Sequence, residues 1–458
     1  MMETIKIIHT NDLHSHFENF PRVKRFIEDK REKNSADEFY LFDIGDAMDR
    51  AHPLTDATDG QANIEWLNSL NYDGATIGNN EGLGNSHAEL SHLYDKANFP
   101  VILGNLFEKE TGELANFAKP YKIIETKKQT KIGVIGLTAP YILTYPLLNW
   151  DIHLIQETLP KLVQELTDQK CDVIVLLSHL GVSMDRRIAG KYPQIDVVIG
   201  AHTHHLFEKG EMDNGVLLAA AGKYGQNIGE INLTLDDNKK VTHKNAVTTR
   251  TSSLPELPED KNWIAQKLHQ GETLLDEEKV AKISQTMSRD ITKPNPVIEE
   301  GLTAIKEYAA ADVAILSSGL FLQSLHKGVV TKNDLHKMLP HAIHVMKTKM
   351  TGENVWRLIM EMEKNRAFLR NHPQKGMGFR GKIFGELVYR GISIDDKKNV
   401  YINGEALHKK KEYTLALLDH YLFVPYFPSI EIAGNNDILY PKFLRSVFGE
   451  YLSKKYPI

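Results

Sequence analysis

Residues 5–16 read IKIIHTNDLHSH, a short apolar strand followed directly by an aspartate and two histidines. The apolar residues at positions 5–8 predict a buried β-strand, and Asp12 and His14 come just after it. In an extended segment, residues i and i+2 point to the same side, so these two side chains can face one pocket. Carboxylate and imidazole groups are common ligands of divalent metals. The stretch therefore predicts a metal-binding loop at the end of an opening strand.

Four more polar clusters follow predicted strands in the first half of the chain. They are Gly45-Asp46, Gly78-Asn79-Asn80-Glu81, Ser178-His179 and Gly200-Ala201-His202-Thr203-His204-His205. In layered α/β proteins, ligands bind beyond the carboxyl ends of the strands. We therefore expect all five clusters to converge on one edge of a sheet.

Each cluster alone has an ordinary structural explanation. An isolated Asp-x-His is commonly a turn with a surface histidine, and a Gly-Asp pair after a strand is commonly a helix N-cap. Five such clusters, each at a strand end, favour a shared site instead. Asp46 carries two carboxylate oxygens and could bridge two ions. Two metal ions about 3.5–4 Å apart form a clamp that suits displacement at phosphorus.

The order of strands and helices predicts an α/β layered domain in the first half of the chain. A stretch rich in proline and serine begins at Thr251, and Thr292-Lys293-Pro294-Asn295-Pro296 marks a second break. We interpret residues 1–250 as the first domain, 251–294 as a linker that contains a helix, and 295–458 as a second domain of mixed α+β type.

The composition is that of a globular protein and limits the possible functions. The chain has 458 residues, of which 41% are hydrophobic, and its formal net charge is −5. This charge argues against nucleic acid as a partner. The single cysteine, Cys171, excludes an intramolecular disulfide and a zinc site built on several thiolates. Because there is neither a signal-peptide pattern nor an apolar run long enough to span a membrane, we expect a cytoplasmic protein without a membrane partner.

Taken in order, the five clusters resemble the signature of the calcineurin-like metallophosphoesterases. The segment HTNDLHSH at residues 9–16 is similar to the 5′-nucleotidase branch, as is the run from Gln61 to Asn79. Residues 295–458 resemble the C-terminal substrate domain of that branch. The resemblance implies an αββα sandwich and a dinuclear centre for ions such as Mn, Zn or Fe. It also implies attack of a metal-bound hydroxide on a small phosphorylated substrate such as a nucleotide.

The resemblance also implies a set of ligands. The first ion would be held by Asp12, His14, Asp46 and His204. The second would be held by Asp46, Asn79, His179 and His202, so that Asp46 bridges the two ions.

One catalytic position departs from the family pattern. The family has a histidine, which helps to protonate the leaving group, where this chain has Asn80. Asparagine can donate a hydrogen bond but cannot deliver a proton near neutral pH. We expect slow turnover or a leaving group that needs no proton, unless His205 or His16 takes over. An alternative hypothesis is a metal-binding pseudoenzyme or ligand sensor with weak or no turnover.

The second half departs further from the family. The arginine-bearing Asn-x-Gly-x-x-Arg segment is replaced by Ser317-Ser318-Gly319-Leu320-Phe321, and the loop that holds the nucleobase is missing. Phe379, Arg380 and Tyr426 are candidate substrate contacts, although a structural role in the core is the more common one for each. A third hypothesis, a nuclease, is disfavoured by the charge. The sequence leaves the oligomeric state open.

Overall fold

The computed structural model describes residues 2–376 and 378–458. The chain forms two compact units, Met1–Gly271 and Glu272–Ile458. The boundary between them falls inside a helix, Pro258–Glu277.

The first unit alternates strands and helices through most of its length. Its strands are β1 (Glu3–Thr10), β2 (Glu38–Asp43), β3 (Gly74–Ala75), β4 (Val101–Ile102), β5 (Leu106–Glu108), β6 (Ala118–Lys119), β7 (Tyr121–Glu125), β8 (Lys131–Thr138), β9 (Trp150–Ile152), β10 (Val173–His179), β11 (Val197–Gly200), β12 (Glu211–Asp213), β13 (Val216–Ala219), β14 (Asn227–Leu235) and β15 (Val241–Arg250). Its helices are α1 (Phe20–Glu32), α2 (Pro53–Ala57), α3 (Gln61–Asn68), α4 (Asn79–Leu83), α5 (His87–Leu93), α6 (Ile155–Asp168), α7 (Val182–Lys191) and α8 (Pro258–Glu277), which runs into the second unit.

Two sheets face each other in this unit. One has the order β15-β14-β1-β2-β3-β4-β6, and the other has the order β12-β13-β11-β10-β8-β7. Their inner faces share one core, in which Ile7 and Phe42 of the first sheet pack with Val134, Val175 and Val197 of the second. The strands that precede the polar clusters are parallel within each sheet, as β1 is to β2 and β10 is to β11.

Helices cover the outer faces of the two sheets. Residues Leu159 and Leu166 of α6 and Ile188 of α7 form one core with the outward side chains of β10 and β11. On the other sheet, α1 connects two adjacent parallel strands, and such a connection crosses over the sheet face. The buried Val23 and Ile27 of α1 supply apolar cover there. The predicted αββα sandwich is confirmed.

The expectation that the five clusters meet at the edge of a single sheet is wrong. The clusters containing Asp12, Asp46 and Asn79 follow β1, β2 and β3 of the seven-stranded sheet. His179 and His202 lie at the ends of β10 and β11 of the six-stranded sheet. Buried parallel strands have the same apolar pattern in both sheets, so the sequence does not indicate which strand pairs with which.

The second unit is a mixed α+β structure, as predicted. Its strands are β16 (Lys279–Ile283), β17 (Val313–Ser317), β18 (Gly328–Thr331), β19 (His344–Thr351), β20 (Leu387–Arg390), β21 (Ile392–Ile394), β22 (Val400–Ile402), β23 (Glu405–Ala406), β24 (Glu412–Leu418) and β25 (Asn435–Phe443). Its helices are α9 (Val297–Tyr308), α10 (Lys332–Met338), α11 (Gly352–Leu369), α12 (Pro428–Ala433) and α13 (Leu444–Lys455). The main sheet has the order β20-β17-β24-β19-β25 and combines one parallel pair with antiparallel pairs. Across the described parts of both units, no helix combines the length and apolar character that a membrane span requires.

Candidate metal centre

The loops that follow β1 and β2 are held together by backbone hydrogen bonds. The N–H of Asp12 donates to the carbonyl of Gly45 at 3.0 Å, and the N–H of His14 donates to the carbonyl of Asp46 at 2.8 Å. Glu81 fastens the neighbouring turn, because its carboxylate accepts the backbone N–H groups of Asp46 at 2.9 Å and Gly78 at 2.8 Å. The loops therefore present their side chains from a fixed backbone.

Several of the candidate ligands have a left-handed backbone. The φ angles are +50° for Asp12, +49° for His14, +52° for Asp46, +73° for His202 and +56° for His204. A residue other than glycine adopts this conformation at an energetic cost, and such residues concentrate at functional sites. Five strained residues that also carry metal-ligating side chains indicate a built site.

The first group of donors consists of Asp12, His14 and His204. The two Nε2 atoms of His14 and His204 lie 3.0 Å apart. Asp12 Oδ1 is 3.9 Å from His14 Nε2 and 3.7 Å from His204 Nε2. The two imidazoles and one carboxylate therefore point at one small volume.

The second group consists of Asp12, Asp46 and His179. Asp46 Oδ2 is 3.6 Å from His14 Nε2 and 3.5 Å from His179 Nε2, so this carboxylate lies between the two groups. His179 Nδ1 donates to the carbonyl of Ile44 at 2.7 Å, which leaves Nε2 as the ring's acceptor nitrogen in the neutral imidazole. That Nε2 atom is buried and has no hydrogen-bond partner among the described residues.

Asn79 and His202 complete the set beside His179. Asn79 Oδ1 is 2.8 Å from His202 Nδ1, and the rings of His202 and His179 have centroids 5.3 Å apart. Gly78 makes this proximity possible, because a Cβ at that position would lie 2.1 Å from Asp46 Oδ1 and 2.5 Å from His179 Cε1. All seven residues that the sequence indicated as ligands are therefore brought together.

The electrostatics of the site favour bound cations. Burial raises the pKa of Asp12 to about 7, and the nearby charge of Asp46 adds to this shift. Burial also raises the pKa of Glu81 to about 7. The pKa of His179 is raised to about 10, since the carboxylates of Asp46 and Asp12 outweigh the opposing effect of burial. Carboxylates that are buried this closely need compensating positive charge.

The donor set fits divalent metal ions. The unpartnered Nε2 of His179, the facing nitrogens of His14 and His204, and the central carboxylate of Asp46 all point inward. Imidazole combined with carboxylate and amide oxygen suits zinc, iron and manganese. In each of the two three-residue groups, the ligand atoms lie within 4.8 Å of one another.

Asn80 has a supporting position in the centre. Its backbone N–H donates to Asp46 Oδ1 at 2.7 Å. Its side-chain Nδ2 donates to the carbonyl of Met48 at 2.8 Å and lies 2.9 Å from His14 Nδ1. Asn80 therefore orients Asp46 and His14.

His205 and His16, the two histidines considered as replacement proton donors, contact other side chains. The ring of His205 packs edge-on against Phe207, with centroids 4.4 Å apart. The ring of His16 stacks on Tyr224 at 3.8 Å, and its Nδ1 is paired with Glu18. Neither ring forms a hydrogen bond to a candidate ligand among the described residues, so the proton-donor role of His205 stays a prediction.

The three candidate substrate residues lie in the second unit. Phe379 is 4% exposed, and its ring is stacked with that of His341 at 5.0 Å and with that of His420 at 6.0 Å. Arg380 lines a cavity of about 760 Å³. Tyr426 is half-buried and packs edge-on against Phe368 at 5.3 Å. Phe379 is thus packed against imidazoles of its own unit.

Sequence reasoning missed two tyrosines at the centre. Tyr141 Oη is 3.3 Å from His202 Nε2. The ring of Tyr224 packs edge-on against that of His14 at 5.6 Å, and its N–H donates to the carbonyl of Asp12 at 2.6 Å. Tyr141 follows β8 and Tyr224 follows β13, both strands of the six-stranded sheet. Their positions beyond the carboxyl ends of these strands could have indicated them from the sequence.

An αββα sandwich with these donors at the strand ends defines the class of metal-dependent phosphoesterases. Residues 5–206 match the calcineurin-like phosphoesterase family, and residues 281–423 match the C-terminal domain of 5′-nucleotidases. The chain is 38% identical to the uncharacterized metallophosphoesterase YunD of Bacillus subtilis, over 99% of this chain and 100% of that protein. The chain belongs to the calcineurin-like phosphoesterase family and is a hydrolase of the 5′-nucleotidase type.

Solved structures share the two-domain architecture. The 5′-nucleotidase precursor of Thermus thermophilus aligns with a TM-score of 0.61 and 18% identity, over 99% of this chain and 97% of that one. The NAD nucleotidase NadN of Haemophilus influenzae aligns with a TM-score of 0.67 and 17% identity, over the same shares of the two chains. At these identities the likeness concerns the fold alone.

Proposed function

We propose that the chain hydrolyses nucleotides or related small phosphoesters with two divalent ions such as manganese, zinc or iron. The observation that carries the proposal is the position of Asp46, whose Oδ2 lies 3.6 Å from His14 Nε2 and 3.5 Å from His179 Nε2. A carboxylate between two sets of donors is the arrangement that a bridged pair of ions requires. The first ion would take Asp12, His14, Asp46 and His204, and the second would take Asp46, Asn79, His179 and His202.

The residues of the chain hold this arrangement in place. Bound divalent ions supply activation of water and neutralisation of charge on the phosphoryl oxygens. The carbonyl of Ile44 fixes the ring of His179, and the side-chain amide of Asn11 donates to Asp12 Oδ2 at 2.8 Å. Such partners of the ligands set their orientation and commonly affect metal affinity by 10- to 100-fold.

Nucleotides are the proposed substrate class because the chain is similar to nucleotidases. Residues 281–423 match the C-terminal domain of 5′-nucleotidases. Since this chain lacks the family's arginine segment and base-holding loop, we expect little discrimination among nucleobases. A nucleotide substrate would give the protein a role in nucleotide catabolism.

Hydrolysis should be tested with purified protein loaded with Mn²⁺ and, separately, with Zn²⁺. The panel comprises mononucleotides, cyclic nucleotides, dinucleotides and an aryl phosphate. We expect metal-dependent hydrolysis, followed as loss of substrate, that is abolished in Asp46→Asn and retained in the control Asp213→Asn, which alters a carboxylate on β12. Equal activity of Asp46→Asn and the wild-type protein would refute the proposal.

The alternative is a metal-binding pseudoenzyme or ligand sensor. The observation in its favour is Asn80, which holds its neighbours through hydrogen bonds but carries no transferable proton. A protein that retains two ions per chain yet hydrolyses no member of the panel would support the sensor. Turnover that depends on Asp46 would exclude it.

A further inference from the structure

The segment Ala139–Leu148, which we call the apolar loop, exposes large apolar side chains beside the candidate centre. Tyr141 is 38% exposed, Ile142 54%, Leu143 83% and Leu147 49%. The segment contains no charged residue. Exposed apolar residues are normal when scattered, whereas a contiguous group commonly marks a binding surface.

The apolar loop is anchored, so its exposed side chains have defined positions. The carbonyl of Tyr141 accepts the N–H groups of Thr144 at 2.9 Å and Tyr145 at 3.0 Å. Tyr145 and Leu148 are buried, with 0% and 3% exposure. Tyr145 packs so closely on α4 that a Cβ at Gly82 would lie 2.2 Å from its hydroxyl. The loop is thereby fixed to the helix that carries Asn79 and Asn80.

Tyr141 joins the apolar loop to the centre. Its hydroxyl is 3.3 Å from His202 Nε2, and the two rings meet edge-on with centroids 6.0 Å apart. His202 in turn contacts Asn79 at 2.8 Å. A phosphoester whose phosphorus lies at the centre could therefore extend its leaving group over Tyr141 toward Ile142 and Leu143.

We propose that the apolar loop binds the body of the substrate and selects phosphoesters with an apolar aryl leaving group. The proposal rests on the proposed phosphoesterase function. A surface of tyrosine, isoleucine and leucine gains free energy by covering apolar area. It offers no charged group that could bind a second phosphate, and only hydroxyls that could contact a sugar. The loop thus favours apolar esters over polar ones.

The test is a series of para-alkylphenyl phosphates, from methyl to butyl. Lengthening the alkyl chain leaves the acidity of the phenol almost unchanged and adds apolar length. Each buried methylene is worth about 0.8 kcal/mol, so we expect kcat/KM to rise about two- to fourfold per methylene. Hydrolysis of the whole series at one rate would overturn the inference and leave the proposed function standing. Failure to hydrolyse any member of the series by metal-loaded protein that does hydrolyse nucleotides would likewise overturn the inference alone.

Two variants test whether the dependence of kcat/KM on alkyl chain length arises from the apolar loop. Ile142→Ser and Leu143→Ser should each flatten the dependence on chain length, with the largest loss for the butyl ester. The control Met212→Ser alters a side chain that is 53% exposed on β12 and should keep the wild-type slope. A loss of equal size for the methyl and butyl esters would contradict the inference.

A binding measurement tests the same surface without turnover. The probe is 4-butylphenylphosphonate, which is not hydrolysed, and the readout is calorimetry on the Mn²⁺-loaded protein. We expect its Kd to rise about fivefold or more in Leu143→Ser and to stay at the wild-type value in Met212→Ser. An unchanged Kd in Leu143→Ser would overturn the inference.

Discussion

At the scale of the residue, Asn80 decides what the centre can do with a leaving group. Its amide bonds to the carbonyl of Met48 and faces His14, and its backbone N–H holds Asp46. These contacts explain how asparagine can support the site. They supply no acid, so the departing group must leave largely as an anion, and its own pKa should control the rate.

Asn80→His should restore a proton donor without removing a ligand. We expect the rate for alkyl esters with poor leaving groups to rise by up to about 10²-fold, because general acid catalysis contributes this much. The rate for 2,4-dinitrophenyl phosphate, whose leaving group needs no proton, should barely change. Asn80→Ala serves as the control, since it removes the same amide contacts and adds no acid. An equal change for both esters would show that protonation does not limit turnover.

Asp46 and His14 should differ in their effect on metal content. Because Asp46 lies between both donor groups, Asp46→Ala should lose both ions, whereas His14→Ala should mainly weaken one site. Metal analysis after mild dialysis gives the number of ions per chain, with up to two expected in the wild-type protein. If the wild-type protein binds none in excess Mn²⁺ or Zn²⁺, the dinuclear assignment fails.

At the scale of the element, short helices and tight turns position the ligands more than the long strands do. β3 covers only Gly74–Ala75, and the following residues turn into α4. α5 ends at Leu93, and the chain continues as turns. Such boundaries depend on tertiary contacts that periodicity does not contain. The apolar patterns of the main strands are local, which is why those strands could be predicted.

Gly82 tests the coupling of α4 to the apolar loop. A Cβ at this position would lie 2.2 Å from the buried hydroxyl of Tyr145, so Gly82→Ala must displace either the ring or the helix. We expect a loss of about 1–3 kcal/mol in the free energy of unfolding and a fall in kcat/KM as Asn79 and Asn80 move.

The double variant Gly82→Ala/Tyr145→Phe removes the clashing hydroxyl and should recover part of both losses. The control Gly190→Ala changes a glycine of α7, where the nearest atom is 3.5 Å away, and should be tolerated. Equal behaviour of the Gly82 and Gly190 variants in chemical denaturation would contradict the coupling.

At the scale of the whole molecule, the residue types of the candidate centre could be predicted, as could the fold class of the second unit, whereas the side-chain packing inside the second unit could not. The seven candidate ligands could be named from the sequence because each is a metal-binding residue type at a strand end. The stack of His341, Phe379 and His420 had no such signal, since it joins residues distant in sequence. Tyr141 was missed because a tyrosine within an apolar run is typical of a buried core residue. The structure shows that its side chain is partly exposed.

The buried histidines of that stack should make stability depend on pH. Burial lowers the pKa of His420 from 6.5 to about 3 and that of His341 to about 4. The unfolded chain therefore binds these protons first, and stability is lost as the pH falls below 6.5. Acidification from pH 7.5 to pH 5 should lower the free energy of unfolding by about 2 kcal/mol for each of the two histidines.

The measurement is urea denaturation of the full chain at both pH values. Buried carboxylates such as Asp43, whose pKa burial raises to about 8, act in the opposite direction, so the comparison is between variants. His420→Phe should lose about 2 kcal/mol less than the wild-type protein on acidification. Parallel losses in the two proteins would show that His420 does not titrate on unfolding.

The origin of the ligands in two different sheets has a consequence for how the first unit should be handled. Asp12, Asp46 and Asn79 extend from one layer of the sandwich, while His179 and His202 extend from the other. A bound cation would thus link the two layers through its ligands. Its contribution to the free energy of unfolding grows with the logarithm of the free metal concentration and reaches about 4 kcal/mol per site at a thousandfold excess over Kd. The melting temperature should then depend on the free metal concentration of the buffer, and a chelating buffer should lower it.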